Sequence, residues 1–275
     1  MDAEKKVSII MGIFNCEQTL EKAITSILAQ TYANWELILC DDGSQDKTKQ
    51  LAKNYATQFP EKIFLLENSE NKRLNYTLNK CIAFATGEYI ARQDADDYSH
   101  PERLEKEVAF LTKHSEFAFV STGKVHFDET GAWSEDYSKA EPTAFDLLKA
   151  SPFCHPSCMI RSEVLREVKG YSEGPRLMRV EDYHLWFKIY RAGYKGYNLQ
   201  ELLYFYQDDR AAMKRRTMGH RLNERYVKRL IIRELALPIW QNIFLLRPLL
   251  VGLVPIGLYG QLHRMKMQRQ IERRN

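Results

Sequence analysis

Apolar positions along the first hundred residues switch repeatedly between two periods. Residues 7–13 are a short apolar run rich in β-branched side chains, and after Asn15 the positions Leu20, Ala23, Ile24, Ile27 and Leu28 recur at helical spacing. The pattern then repeats. Residues 36–40 predict a second buried strand that ends in Asp41-Asp42-Gly43-Ser44, with Ser44 or Asp46 placed to cap a helix carrying Leu51 and Tyr55. Residues 63–66 predict a third strand and residues 74–85 a third helix. Residues 88–91 predict a fourth strand, which stops at Arg92-Gln93-Asp94-Ala95-Asp96-Asp97. Strands alternating with helices in this way predict an α/β fold with a Rossmann-like, mostly parallel sheet flanked by helices.

In an open sheet of that kind ligands sit outside the carboxyl ends of the strands, so the acidic loops after Cys40 and Ala91 are expected to face one crevice. Beyond Pro101, residues 103–113 predict a charged amphipathic helix, residues 117–122 and 124–127 two strands, and the stretch up to Pro142 a polar, aromatic loop. Helices are expected over 145–150 and 161–168, bracketing Phe153-Cys154-His155-Pro156-Ser157, and over 182–192, ended by Gly193. The chain therefore divides into a catalytic domain at 1–209, with a nucleotide-binding half at about 1–100 and an acceptor half at about 101–209, and a helical tail at 210–275.

Charge sharpens that division. The chain has 40 Lys and Arg against 36 Asp and Glu, yet residues 210–275 hold 15 basic and 3 acidic side chains, leaving 25 and 33 in the first 209. A basic tail on an acidic body points to an anionic surface. Its basic residues are interleaved with aliphatic runs rather than aromatics, which argues against nucleic acid. The apolar stretch at 243–258 is interrupted by Arg247, Pro248 and Pro255, too short and broken for a spanning helix. Two arrangements stay open: the tail lies on an anionic membrane surface, or it packs as a helical hairpin on the domain or on a second copy of the chain.

With 275 residues and 44% of them apolar, the chain can bury a large core. Cys16, Cys40, Cys81, Cys154 and Cys158 are odd in number and lack zinc-site spacing, so they are expected to be reduced thiols. Residues 1–6 are polar and run straight into the first strand. No secretory leader is expected, and the active domain is expected on the cytoplasmic side.

Three acidic groups carry candidate chemistry. Asp94, Asp96 and Asp97 raise one another's pKa unless a cation neutralises them, and oxygen ligands of this kind suit Mg²⁺ or Mn²⁺ bridging phosphates. The same residues also suit a solvated turn before Pro101. Asp41-Asp42-Gly43-Ser44 is an ordinary strand-to-helix turn, or it offers a carboxylate to a pyrimidine imide N–H, which would select uracil over cytosine. Glu181-Asp182 opens a helix, where the dipole alone favours acidic residues. Its functional reading is a general base that takes a proton from an attacking hydroxyl.

Order and context join these signals. Val7-Ser8-Ile9-Ile10-Met11-Gly12-Ile13-Phe14-Asn15, Ser26-Ile27-Leu28-Ala29-Gln30-Thr31-Tyr32, Trp35-Glu36-Leu37-Ile38-Leu39-Cys40-Asp41-Asp42-Gly43-Ser44, Ala91-Arg92-Gln93-Asp94-Ala95-Asp96-Asp97 and Val180-Glu181-Asp182-Tyr183 follow one another. Together they resemble the family 2 glycosyltransferases of bacterial surface-polysaccharide biosynthesis, over roughly Val7 to Tyr206. The resemblance implies a GT-A fold and an inverting hexosyltransferase with a nucleotide-sugar donor. It makes Asp42 the nucleobase partner, Asp94 a ribose or metal contact, Asp96 the direct metal ligand and Asp182 the catalytic base. It also places Gly12, Asn15, Glu17 and Arg73 along the nucleotide, and Glu181 and His155 on the acceptor side. Relatives often have glycine where this chain has Lys72, and many share an arginine at Arg92, which would pair with the diphosphate or with Asp94. Trp186 and Tyr183, at helical spacing, read as core. The Gln-x-x-Arg-Trp motif and multiple spanning helices of processive synthases are missing.

The implied reaction moves a sugar from a UDP-sugar to a hydroxyl of a saccharide or lipid-linked saccharide, using Mn²⁺ or Mg²⁺. Peripheral attachment to the inner face of the cell membrane and homo-oligomers accord with the tail. Two other classes bear weighing. A sugar nucleotidylyltransferase needs a glycine-rich phosphate loop, and residues 11–16 contain only Gly12. A non-catalytic nucleotide-sugar-binding scaffold is expected to have lost a carboxylate, and Asp42, Asp94, Asp96 and Asp182 are all present.

Overall fold

The computed structural model describes residues 5–207 and 217–253. The chain begins β1 (Val7–Ile13), α1 (Leu20–Leu28), β2 (Trp35–Asp41), α2 (Thr48–Gln58), β3 (Ile63–Glu67), α3 (Leu74–Phe84) and β4 (Tyr89–Arg92). Parallel neighbours need a crossover rather than a tight turn, and the helices supply it. β1 pairs in parallel with β2 and β4, and β2 with β3. The N-cap of α2 is Lys47, which makes no side-chain cap, and Asp46 just before it accepts from Thr48 N at 3.0 Å through its Oδ1.

Successive strand residues point to opposite faces, and both faces are covered. Ile9, Met11, Leu37 and Leu39 pack with Leu20, Ala23, Ile24 and Ile27 of α1, while Ile10, Ile38 and Cys40 pack on the other side with Leu78, Cys81 and Ile82 of α3. Each fully buried large aliphatic side chain contributes about 1.5–3 kcal/mol, so alternation along β1 and β2 alone fixes the order of the layers.

The second half adds β5 (Tyr98–Ser99), α4 (Arg103–Lys113), β6 (Phe119–Asp128), β7 (Gly131–Asp136), α5 (Ala144–Lys149), β8 (Met159–Arg161), α6 (Ser162–Glu167), α7 (Glu181–Arg191) and β9 (Gly196–Gln207). Among the described residues one sheet runs β3-β2-β1-β4-β8-β6-β9-β5, with β7 attached to β6. β8 is antiparallel to β4 and β6, β5 to β9 and β7 to β6, while β9 is parallel to β6. The direction of β1 is therefore shared by β2, β3, β4, β6 and β9, and the sheet is mostly parallel.

Three details differ from the periodicity. The strands expected at 117–122 and 124–127 are one strand, whose register against β9 shifts on either side of Gly123; such irregularities re-aim a strand without ending it. The expected loop before Pro142 contains β7, which buries only Ser134 and so carries no apolar alternation. β9 was likewise hidden, because exposed Gln200 and Glu201 interrupt it. Its start is fixed by packing: a Cβ on Gly196 would lie 2.2 Å from the Phe119 ring.

The described part of the tail is α8 (Met218–Glu234), a 3₁₀ stretch Ile239–Leu245 and α9 (Arg247–Leu253). Val227, Ile231, Ile232 and Leu245 join the buried cluster that holds Leu185 and Trp186 of α7. The inner side of this layer therefore packs on the domain, one of the two arrangements expected. Residues 210–216 and 254–275 lie outside the described residues. Among the described residues no helix is long and apolar enough to cross a membrane. All five cysteines are free thiols.

Candidate active site

The loops after β1, β2 and β3 leave the sheet at one edge and are stitched together. Asp42 N donates to Ile13 O at 2.9 Å and Asn68 N to Asp41 O at 2.8 Å. Gly43 has φ +80, and a Cβ there would sit 3.1 Å from Asn71 N, so glycine lets the two loops approach. Asp42 is buried where they meet. Its Oδ1 accepts from Asn68 Nδ2 at 2.9 Å and Lys72 N at 2.8 Å, and its Oδ2 from Arg73 N at 2.9 Å. A carboxylate offers about four acceptor positions, so Oδ2 keeps one for another donor.

Beside Asp42 opens a crevice of about 600 Å³, walled by residues 71–77 on one side and 173–181 on the other. Gly12, Phe14, Asp42, Arg73, Arg179 and Glu181 all reach it. Arg73 has φ 73 and ψ 163, a backbone region populated almost only by glycine. Its N–H is held by Asp42, and its guanidinium crosses the mouth to Met178 Sδ. Asn15 and Glu17 are not among the lining residues. They fasten the β1 loop to the next turn instead, Asn15 Oδ1 accepting from Gln45 N at 2.9 Å and Glu17 Oε2 from Lys47 N at 2.8 Å.

At the end of β4, oxygens of Asp94, Asp96 and Asp97 lie within 4.8 Å of one another. Arg92 Nη2 is 2.6 Å from Asp94 Oδ1, and Asp94 N donates to the Tyr204 hydroxyl at 3.1 Å. Asp97 is buried, with Oδ1 accepting from Gln207 N at 2.7 Å. Burial, then the charges of Asp94 and Asp96, push its carboxyl well above the usual range. Asp96 is exposed. Three hard oxygen donors within reach of one another, one of them buried, fit a small divalent cation such as Mg²⁺ or Mn²⁺.

Asp182 sits in the first turn of α7, where Ser151 Oγ donates to its Oδ2 at 2.9 Å. Burial, then the charge of Asp182, raise the pKa of neighbouring Glu181. His155 is buried with Nε2 2.7 Å from the Tyr171 hydroxyl, and burial, then Arg92, hold its pKa well below the usual range. Burial pushes the Tyr171 hydroxyl well above its usual pKa, against the opposing charge of Arg92. Trp186 and Tyr183 are core, Trp186 stacking on Phe119 at 4.6 Å and Tyr183 donating to Leu147 O at 2.6 Å. Sequence reasoning missed Asn68, Tyr204, Ser151 and the wall at Met178 and Arg179. Of these only Asn68 left a signal, as a polar residue directly after a strand that ends beside Asp42.

Residues 8–169 match the model of the family described as Glycosyl transferase family 2. EpsE of Bacillus subtilis (strain 168), a protein named as a glycosyltransferase, is 43% identical over 272 residues, covering 99% of this chain and 98% of that one. WfgD of Escherichia coli, named as a UDP-Glc:alpha-D-GlcNAc-diphosphoundecaprenol beta-1,3-glucosyltransferase, is 38% identical over 183 residues, 66% of this chain and 69% of its own. Among solved structures, residues 1–349 of S. aureus TarS in complex with UDP-GlcNAc align with a TM-score of 0.71 at 18% identity, covering 89% of this chain and 71% of that one. At that identity the likeness establishes a shared fold.

Proposed function

The chain belongs to glycosyl transferase family 2, and we propose that it moves a sugar, with inversion, from a UDP-sugar to a hydroxyl of a saccharide or lipid-linked saccharide during surface-polysaccharide assembly. The fold is of the GT-A type. One observation carries the reading: the Asp42 crevice and the Asp94, Asp96 and Asp97 cluster open on the same edge of one sheet. The printed activity of WfgD supports a UDP-sugar donor and a diphosphate-linked acceptor, and the UDP-GlcNAc complex of TarS supports the same donor class.

In this reading Asp42 Oδ2 accepts the nucleobase imide N–H at its remaining position, while Arg73 and Arg179 supply positive charge to the crevice. Asp94, Asp96 and Asp97 would hold Mn²⁺ or Mg²⁺, which when bound neutralises charge on the departing diphosphate. Asp182 takes the proton of the acceptor hydroxyl. Ser151 fixes the direction of that carboxylate, and Glu181 and His155 shape the acceptor side. Residues 1–209 form the catalytic unit. Residues 210–275 hold it on the inner face of the membrane, alone or as a homo-oligomer.

The test is release of nucleoside diphosphate from a panel of nucleotide sugars with Mn²⁺, Mg²⁺ or EDTA, read beside thermal shift. Slow donor hydrolysis that needs metal, Asp96 and Asp182 is expected, and is lost in Asp96→Ala and Asp182→Asn. If no nucleoside diphosphate stabilises the wild type in the presence of metal, the proposal fails.

A further inference from the structure

Among the described residues most large apolar side chains are covered, and apart from Phe14, Tyr76 and Phe84 the exceptions gather in the tail. Met218, Leu222, Ile239, Trp240, Ile243, Leu246 and Leu250 are all at least 40% exposed, with Ile239 at 84% and Trp240 at 64%. Three residues per turn in a 3₁₀ helix place Trp240, Ile243 and Leu246 in one line, and Leu250 follows one α-helical turn later. Gln241 and Leu245 turn inward instead. The outward side also carries Asn242 and Arg247, so this segment shows water a largely apolar face with polar groups within it.

The same layer carries a basic ridge. Arg225, Arg229 and Arg233 follow one another at four-residue spacing on α8, all exposed, and Leu222 is their neighbour on that helix face. α8 and α9 are in close contact, since a Cβ on Gly252 would meet Met218 Cε at 2.7 Å. The apolar stripe and the basic ridge therefore stand on the exposed side chains of one packed helical layer.

We propose that this surface, Leu222, Trp240, Ile243, Leu246 and Leu250 rimmed by Arg225 and Arg229, docks the protein on an anionic phospholipid bilayer. Charge selects that occupant. Residues 254–275 contribute Arg264, Lys266, Arg269, Arg273 and Arg274 against Glu272, so neither that segment nor a second copy of this face brings the opposite sign. An anionic headgroup layer does, and the acyl boundary beneath it takes the apolar stripe. Trp240 suits the interface, where an amphipathic ring is favoured.

Docking here also aims the crevice. On the inner side of the layer Asn223 Nδ2 donates to Pro175 O at 3.2 Å and Met178 O at 3.1 Å, next to the crevice wall. Lys228 Nζ and Arg247 Nη1 both donate to Lys149 O at 2.8 Å, two residues from the Ser151 that holds Asp182. A bilayer against the outer side would lie one helical layer from both donor and acceptor positions. This part rests on the proposed lipid-linked acceptor.

The test uses the full chain with vesicles of phosphatidylcholine alone or mixed with phosphatidylglycerol, in sedimentation and tryptophan emission. Trp35 and Trp186 are buried, and a Trp240→Phe variant assigns any blue shift to Trp240. The wild type is expected to bind only the mixed vesicles, less tightly as salt rises, with a blue shift. Arg225→Glu with Arg229→Glu, and separately Ile243→Glu, are each expected to weaken binding roughly tenfold or more, while metal-dependent donor hydrolysis in solution stays unchanged as the check on folding. Failure of the wild type to bind mixed vesicles overturns the proposal. So does unaltered binding in both variants, which would assign attachment to other residues, or loss of a dimer in Ile243→Glu without loss of vesicle binding. Vesicle binding without donor hydrolysis from any nucleotide sugar would sink the glycosyltransfer reading and leave the docking surface standing.

Discussion

Arg92 is buried directly behind Asp94, with Nη2 2.6 Å from Oδ1. The pair gives Asp94 and Asp96 different jobs, although they stand two residues apart. Asp94 compensates a buried guanidinium, and Asp96 is exposed. Breaking a buried pair leaves an uncompensated charge, so Asp94→Asn should lower stability by on the order of 3 kcal/mol without metal. Asp96→Ala should stay within about 0.5 kcal/mol of wild type and yet lose all stabilisation by added Mn²⁺. Urea denaturation with and without Mn²⁺ measures both. Equal losses in the two variants would refute the division.

Arg73 holds a glycine-type backbone at φ 73 while its side chain crosses the crevice mouth. Strain of this kind costs on the order of 1–3 kcal/mol and persists where a function needs it. Arg73→Gly relieves the strain and keeps the N–H that Asp42 accepts. Its stability should fall no more than about 1 kcal/mol below wild type, while its donor KM rises about tenfold, the effect of one lost charge-assisted contact. A donor KM equal to wild type would show that the guanidinium serves the fold alone.

Ser151 donates to Asp182 Oδ2 at 2.9 Å. A hydrogen bond to a charged group is worth about 1.5–3 kcal/mol, and this one sets the direction of the carboxylate rather than its presence. Ser151→Ala should lower kcat about tenfold and leave donor KM unchanged, in steady-state kinetics with saturating acceptor. A change in donor KM with kcat intact would remove Ser151 from the acceptor side.

The first half of the sheet was legible because its strands bury alternate residues on both faces and its helices carry one apolar stripe, as in β1 and α1. The acidic loops were legible for the same reason, since strand ends in a parallel sheet locate ligands. β7 and β9 were not, because an antiparallel edge strand that buries one residue and a strand interrupted by Gln200 and Glu201 leave no periodic trace. The site's supporting contacts escaped for another reason. Tyr204 meets Asp94 across 110 residues and Ser151 meets Asp182 across 31, and such pairings arise from tertiary packing, which no local pattern encodes.

Glu107 lies one turn after Arg103 on α4, and both are fully buried. Arg103 Nη1 donates to Arg92 O at 3.0 Å, behind the acidic cluster, while neither Glu107 oxygen has a partner among the described residues. Burial raises the Glu107 pKa from its usual 4.5 to about 8, outweighing the opposing charge of Arg103. The folded protein therefore keeps a proton that the unfolded chain releases near pH 4.5. Its contribution to stability is complete below that pH and is lost as pH rises toward 8, at up to about 1.4 kcal/mol per unit. Glu107→Gln replaces the protonated acid by a neutral group of the same shape, so it should match wild type at acid pH and gain on it steadily as the pH rises to about 8. Urea denaturation across that range at constant ionic strength measures the divergence. Parallel stability curves would mean that Glu107 is ionised beside Arg103 in the folded state, and the pair would then be a salt bridge supporting the Arg92 loop.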